Sequence, residues 1–200
     1  MNADLMNRRE AIARLSLLLG GALIGGNAYL SGAPVEGKTL AGDFSAADLA
    51  LMDEVGETII PTTNTPGAKS VGIGAFMAMM VRDCYTDDNH AVFKAGLGQI
   101  EAAAKKKFGT SFMQCSPAQR TELLSELDRE QQRHHAHKPI GEPEHYFRML
   151  KQLTVVGFFT SEVGANKVLR YVEVPGGYDG AVPYKKGDRA WFTPPGMRTL

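Results

Sequence analysis

The sequence predicts an all-α fold, a small helical bundle with an extended Pro/Gly/aromatic-rich C-terminal tail. Helix-start signatures recur along the chain. The apolar residues between them fall about three and four positions apart, and no segment alternates apolar and polar residues as a half-buried strand would. The 200 residues then divide into an export-signal segment over 1–33, the bundle over 34–172 and the tail over 173–200.

Ser45-Ala46-Ala47-Asp48 opens the first helix, with the serine hydroxyl free to cap an amide and the aspartate in the positive first turn. Leu49, Met52, Val55 and Ile59 then share one face, and Pro61 stops the helix. The loop through Pro66-Gly67 leads to a second, heavily buried helix over 71–81. Its Met77, Met79 and Met80 read as adaptable core filler rather than as copper ligands. A third helix is expected over 88–108. A fourth opens at Ser116-Pro117-Ala118-Gln119, with serine as cap, proline at the first helical position and glutamine at the third. The fifth begins near Pro143 and presents Tyr146, Phe147, Leu150, Leu153 and Val156 inward, its end loosened by Gly157. Thr160 or Ser161 then caps a last short helix that ends around Arg170.

Beyond Tyr171 the composition changes. Pro175, Gly176, Gly177, Gly180, Pro183, Gly187, Pro194, Pro195 and Gly196 break up a stretch that still holds Tyr178, Tyr184, Trp191 and Phe192. Such a segment cannot build a core alone, yet its aromatics are costly to leave in water. It either folds back on the bundle or lies along a partner protein, where Tyr171, Tyr178, Tyr184 and Trp191 would be the anchors.

At the other end, Asn7-Arg8-Arg9 precedes a short, glycine-rich apolar run from Leu15 to Gly26. Paired arginines before a weakly apolar stretch are the pattern of a twin-arginine export signal, with Arg8 and Arg9 as the residues read by the translocase. Small residues allow cleavage after Ala28 or after Ala33, and an uncleaved anchor is the alternative. That route carries proteins already folded in the cytoplasm, so the expected location is the periplasm or the periplasmic face of the inner membrane.

Charge and motifs narrow the chemistry. Lys plus Arg and Asp plus Glu are 22 each, so no net field attracts nucleic acid. Cys84 and Cys115 both lie in the exported part and can form a disulfide, remain as two thiols, or bridge to another chain. The pair forms neither a C-x-x-C nor a C-x-x-C-H. His134, His135 and His137 cluster with His145 nearby, but flanking Arg133 and Lys138 read as a solvated helix end rather than a metal site. No dinucleotide fingerprint, phosphate loop or nucleophile elbow occurs. No catalytic residue, metal ligand or cofactor pocket is therefore assigned to this chain.

The run from Leu150 to Tyr171, continued by Val174-Pro-Gly-Gly-Tyr-Asp-Gly and by Pro183 to Trp191, resembles the gluconate 2-dehydrogenase subunit 3 family, as does Asp83-Cys84-Tyr85. The resemblance covers most of the chain after the signal, and is most specific from Gly157 to Trp191. It implies a non-catalytic gamma subunit that supplies a twin-arginine signal to a larger FAD-dependent sugar or polyol dehydrogenase and, chaperone-like, steadies or matures it. FAD would lie in that large subunit, and haem c in a further multihaem cytochrome c subunit. The competing expectation is a free-standing periplasmic redox or metal-binding protein built on the histidines or cysteines.

Overall fold

A computed structural model describes residues 44–172, 181, 183 and 185–192. They form a bundle of five long helices: α1 (Ala46–Ile59), α2 (Ile73–Cys84), α3 (Asp87–Phe108), α4 (Pro117–His137) and α5 (Tyr146–Thr160). Single 3-10 turns at Ala68–Val71 and Phe112–Gln114 precede α2 and α4. A π-helical turn, Gly164–Val168, follows α5 and leads to a two-residue strand β1 (Arg170–Tyr171), which pairs in parallel with β2 (Trp191–Phe192). Among the described residues no helix is long and apolar enough to cross a membrane.

Helices α1, α3 and α4 start where their capping chemistry is written, while Gly72 precedes α2 without a side-chain cap. Ser45 Oγ accepts from the Asp48 amide at 3.2 Å while the Asp48 carboxylate accepts from the Ser45 amide at 2.8 Å, a reciprocal capping box. Ser116 and Gln119 repeat it at α4, with Pro117 in the first turn. Thr86 caps α3, whose first turn carries Asp87 and Asp88 and whose last carries Lys105, Lys106 and Lys107, so both ends suit the helix dipole. Gly109, at φ +73°, closes that helix in the left-handed conformation that glycine adopts without strain.

The loop between α1 and α2 is organised by one carboxylate. Glu57 accepts from the Thr62 amide (2.8 Å), the Thr62 hydroxyl (2.7 Å) and the Lys69 amide (2.9 Å). Burial works against its charge, but these bonds outweigh it and hold the carboxyl below its usual range. The two helices then meet closely: Asp53 accepts from the Gly74 amide at 2.7 Å, and a side chain at 74 would collide with the Leu49 carbonyl.

Helix α5 is the centre of the bundle and touches each of the other four. Tyr146, Phe147, Met149, Leu150, Leu153, Thr154 and Phe158 are all buried on it. Phe93 and Ile100 from α3, Met52 and Val55 from α1, and Ile73 and Met77 from α2 complete a fully buried interior. Removing such surfaces from water, at about 25 cal/mol per Å² of apolar area, is the main force holding the helices together.

Three expectations about faces are corrected. Val156 is not on the inner face: it is 50% exposed, because the buried stripe passes through Leu150, Leu153, Thr154 and Gly157. Gly157 does not loosen the helix end. It sits inside α5 where Phe76 and Ile73 pack so close that a Cβ would overlap both. Met77 is core and Met80 packs at its margin, but Met79 is 38% exposed.

Candidate partner-binding surface

After α5 the backbone turns at Ser161, whose Oγ donates to the Phe158 carbonyl (2.6 Å) and accepts from the Gly164 amide (3.0 Å). This is the cap foreseen at Thr160 or Ser161, but the turn it starts is π-helical. Gly164 is required there by packing, since a Cβ would overlap the Phe158 carbonyl group. At the far end Arg189 donates to the carbonyls of Asn166 and Lys167, each at 3.0 Å, placing a cation on groups the helix leaves unpaired.

Those bonds bring the tail back. The Arg170 amide donates to the Ala190 carbonyl at 2.8 Å, and Arg170 faces Trp191 in register, as Tyr171 faces Phe192. The Arg170 guanidinium lies 4.5 Å from the Trp191 ring centroid, and the Tyr171 and Phe192 rings are 5.9 Å apart. Trp191 remains 53% and Tyr171 41% exposed, so the fold-back displays the aromatics instead of burying them. Of the four predicted anchors these two lie on the paired strands, in different cross-strand pairs. Tyr178 and Tyr184 lie outside the described residues, as do Arg8 and Arg9.

A second feature lies between α4 and α5, where two open troughs of about 410 and about 290 Å³ meet at Lys151. The first is floored by Ile59, Leu124 and Phe147; the second is edged by Val155 and Val156. At the junction Lys151 Nζ donates to Asp128 at 2.6 Å, and the Gln131 and Gln132 amides each add a bond to the same carboxylate at 3.0 Å. Burial opposes the charge of Asp128, but Lys151 and the two amides prevail and keep it below the usual carboxylate range. Reading the sequence for chemistry missed this trough. The available signal was Val155-Val156, two adjacent apolar residues that cannot both join an inward stripe in which Thr154 and Gly157 already lie.

The cysteines are not joined. Cys84 is exposed at the end of α2, and Cys115 is buried in the turn before α4, so the disulfide considered from the sequence is replaced by two free thiols. The histidines divide among separate tasks. The His137 ring bonds the Arg133 carbonyl (2.8 Å), His135 meets Glu144 (3.3 Å), and His134 packs edge-on against His145 with centroids 5.6 Å apart. His145 caps α5, its Nδ1 accepting from the Phe147 amide at 3.2 Å, and stacks on Tyr146. Burial, aided by His134 and opposed by Glu130, lowers the His145 pKa; burial also pushes the Tyr146 hydroxyl up to about 12. Among the described residues no three His, Cys, Asp or Glu side chains are grouped to hold a metal ion.

Residues 46–176 match the family described as gluconate 2-dehydrogenase subunit 3. The chain belongs to that family. The matched span opens on the first residue of α1, takes in the whole bundle and runs past β1. Trp191 lies beyond it, which narrows the region of resemblance expected to extend that far. No curated protein and no solved structure matches the chain.

Proposed function

We propose that this member of the subunit 3 family is the non-catalytic gamma subunit of a periplasmic FAD-dependent gluconate, sugar or polyol dehydrogenase, and that its twin-arginine segment exports the folded complex. The family match over the entire bundle carries this reading. Two further features support it. Arg8-Arg9 precede a short apolar run, and the exposed rings of Tyr171 and Trp191 lie on paired strands, Trp191 against the cation of Arg170 and Tyr171 against Phe192. Rigid aromatics beside an arginine are the composition that dominates protein interfaces.

In this reading FAD belongs to the large subunit, and haem c to a cytochrome subunit where one is present. The role of the chain is then to hold the large subunit in a translocation-ready, stable form.

The test is affinity purification of the tagged chain from the periplasm and membranes of its native host, beside Arg8→Lys/Arg9→Lys. Recovery of a flavin-containing dehydrogenase, with both chains kept in the cytoplasm by the double substitution, is the expected result. Export of the flavoprotein without the arginines would sink the carrier role.

A further inference from the structure

The end of the bundle exchanges hydrogen bonds with a segment that adds nothing to the core. In the π-helical turn the Leu169 amide bonds the Gly164 carbonyl, five residues back. One more such bond would join the Arg170 amide to the Ala165 carbonyl, but that amide goes to Ala190 at 2.8 Å instead. Arg189, next to Ala190, returns donors to the turn, to the Asn166 and Lys167 carbonyls at 3.0 Å each. The segment that makes these bonds is shaped from within. The Lys185 amide donates to the Asp188 carboxylate (2.9 Å), the Asp188 amide donates to the Lys185 carbonyl (3.0 Å), and Gly187 between them sits at φ +97°. Residues 185–191 are exposed throughout, Phe192 is half-buried, and none of them belongs to the buried core. Asn166 and Lys167 are exposed as well. Water can therefore replace the polar bonds of this junction when the segment leaves, and no core surface is uncovered.

We infer that residues 185–192 form a detachable clasp, latched by Arg189 onto the π-helical turn, which opens and closes while the five-helix bundle stays folded. Closing sets the register in which Arg170 faces Trp191 and Tyr171 faces Phe192. Opening releases both pairs together, because β2 is only two residues long. A two-stranded ribbon is marginal in water, and one this short needs the latch to form at all. Arg189 is a positioning residue: it pins the backbone at 189, and Trp191 follows two residues later. The clasp is a property of this chain by itself, whichever partner the exposed rings meet. A partner that recognises Trp191 against Arg170 binds the closed form, and its apparent affinity falls in proportion to the closed fraction.

The experiment is residue-resolved amide hydrogen exchange on the purified full-length chain, comparing wild type with Arg189→Ala and Arg189→Lys. The Arg170 amide reports the clasp, and the amides of Leu150 and Ile100, both fully buried, report the bundle. In wild type the Arg170 amide should be protected relative to a free peptide, yet at least about a hundredfold less than Leu150. Arg189→Ala should lower its protection about tenfold by removing two charge-assisted bonds, with Leu150 and Ile100 unchanged. Arg189→Lys keeps a cationic donor without the fork and should recover part of the protection. Trp191 is the single tryptophan of the chain, so acrylamide quenching of its fluorescence follows the clasp independently and should rise in Arg189→Ala. Protection at Arg170 as strong as at Leu150 would make the segment part of the cooperative bundle and overturn the clasp. An Arg170 amide as fast as in a free peptide would show that it does not close. Unchanged protection at Arg170 in Arg189→Ala would remove the latch, and faster exchange at Leu150 in that variant would show that the segment supports the core; either result also overturns the inference.

Discussion

Glu54 of α1 and Arg120 of α4 form an ion pair across the bundle, each side chain only 14% exposed. The guanidinium also donates to the carbonyls of Phe112 (3.1 Å) and Met113 (2.6 Å) and lies over the Phe112 ring, while Lys69 takes the second Glu54 oxygen at 2.8 Å. One arginine thus ties α1, the 3-10 turn and the start of α4 together. Arg120→Ala leaves Glu54 with Lys69 alone and takes the donor from the Phe112 and Met113 carbonyls, and should cost about 2 kcal/mol in chemical denaturation. Arg120→Lys, which cannot reproduce the fork, should recover less than half of that. An unchanged unfolding midpoint in Arg120→Ala would show that water screens the pair in solution.

Two glycines of the same helix should respond in opposite senses. A Cβ at Gly96 would enter the Tyr146 ring, whereas one at Gly98 meets nothing within 4 Å. Gly96→Ala is expected to destabilise by about 2 kcal/mol through forced separation of α3 and α5. Gly98→Ala should stabilise by about 0.5–1 kcal/mol, because an exposed helical glycine carries only an entropic cost. Thermal melts of the pair check both signs.

Stability should fall in mild acid through His145. Burial lowers its pKa below the ordinary 6.5, so the unfolded chain binds the proton more readily and protonation favours unfolding. The contribution is intact above about pH 6.5 and is lost as the pH falls below it. Protonation also fills Nδ1, which accepts from the Phe147 amide. His134 and Glu130 from α4 face the ring, the first adding to the shift and the second opposing it. His145→Asn retains a capping oxygen without titrating there, and denaturation at about pH 7.5 and about pH 5.5 should show a smaller loss than wild type.

Thiol titration should resolve two classes. Cys84 is exposed and should react at once in the native chain; Cys115 is buried and should react only on unfolding. A native, non-reduced sample with no titratable thiol even in denaturant would establish the bridge that the structure does not contain.

Ser116 is the most economical test of a cap. Ser116→Ala removes one half of the box with Gln119 and should cost about 1 kcal/mol, seen as a lowered melting temperature with unchanged helical content at low temperature.

The helices were legible because their signals are local. Ser45 with Asp48 and Ser116 with Gln119 are separated by one helical turn, and the hydrogen bonds they make are the ones their spacing allows. Faces were legible where one side of a helix meets the core and failed where a helix is surrounded. Val156 fits a periodic apolar stripe as well as Leu153 does, and Gly157 has the composition of a helix end. What places Val156 in water and Gly157 inside α5 is the position of Phe76 and Ile73 on α2. Of the predicted surface residues, Tyr171 pairs with Phe192 and Trp191 with Arg170 in a register that the intervening chain does not encode, whereas the Lys151–Asp128 junction went unforeseen because its partners sit on different helices.

The sequence by itself determined the number of long helices, where α1, α3 and α4 begin, and the family to which the bundle belongs, since caps, breakers and motif residues act on near neighbours along the chain. Only the tertiary structure decided which apolar residues stay exposed, that the two thiols remain apart, that Arg120 reaches Glu54, and that Lys151 of α5 meets Asp128 of α4. Those outcomes depend on the angles and separations at which helices pack, and these are set by the fit of many distant side chains at once.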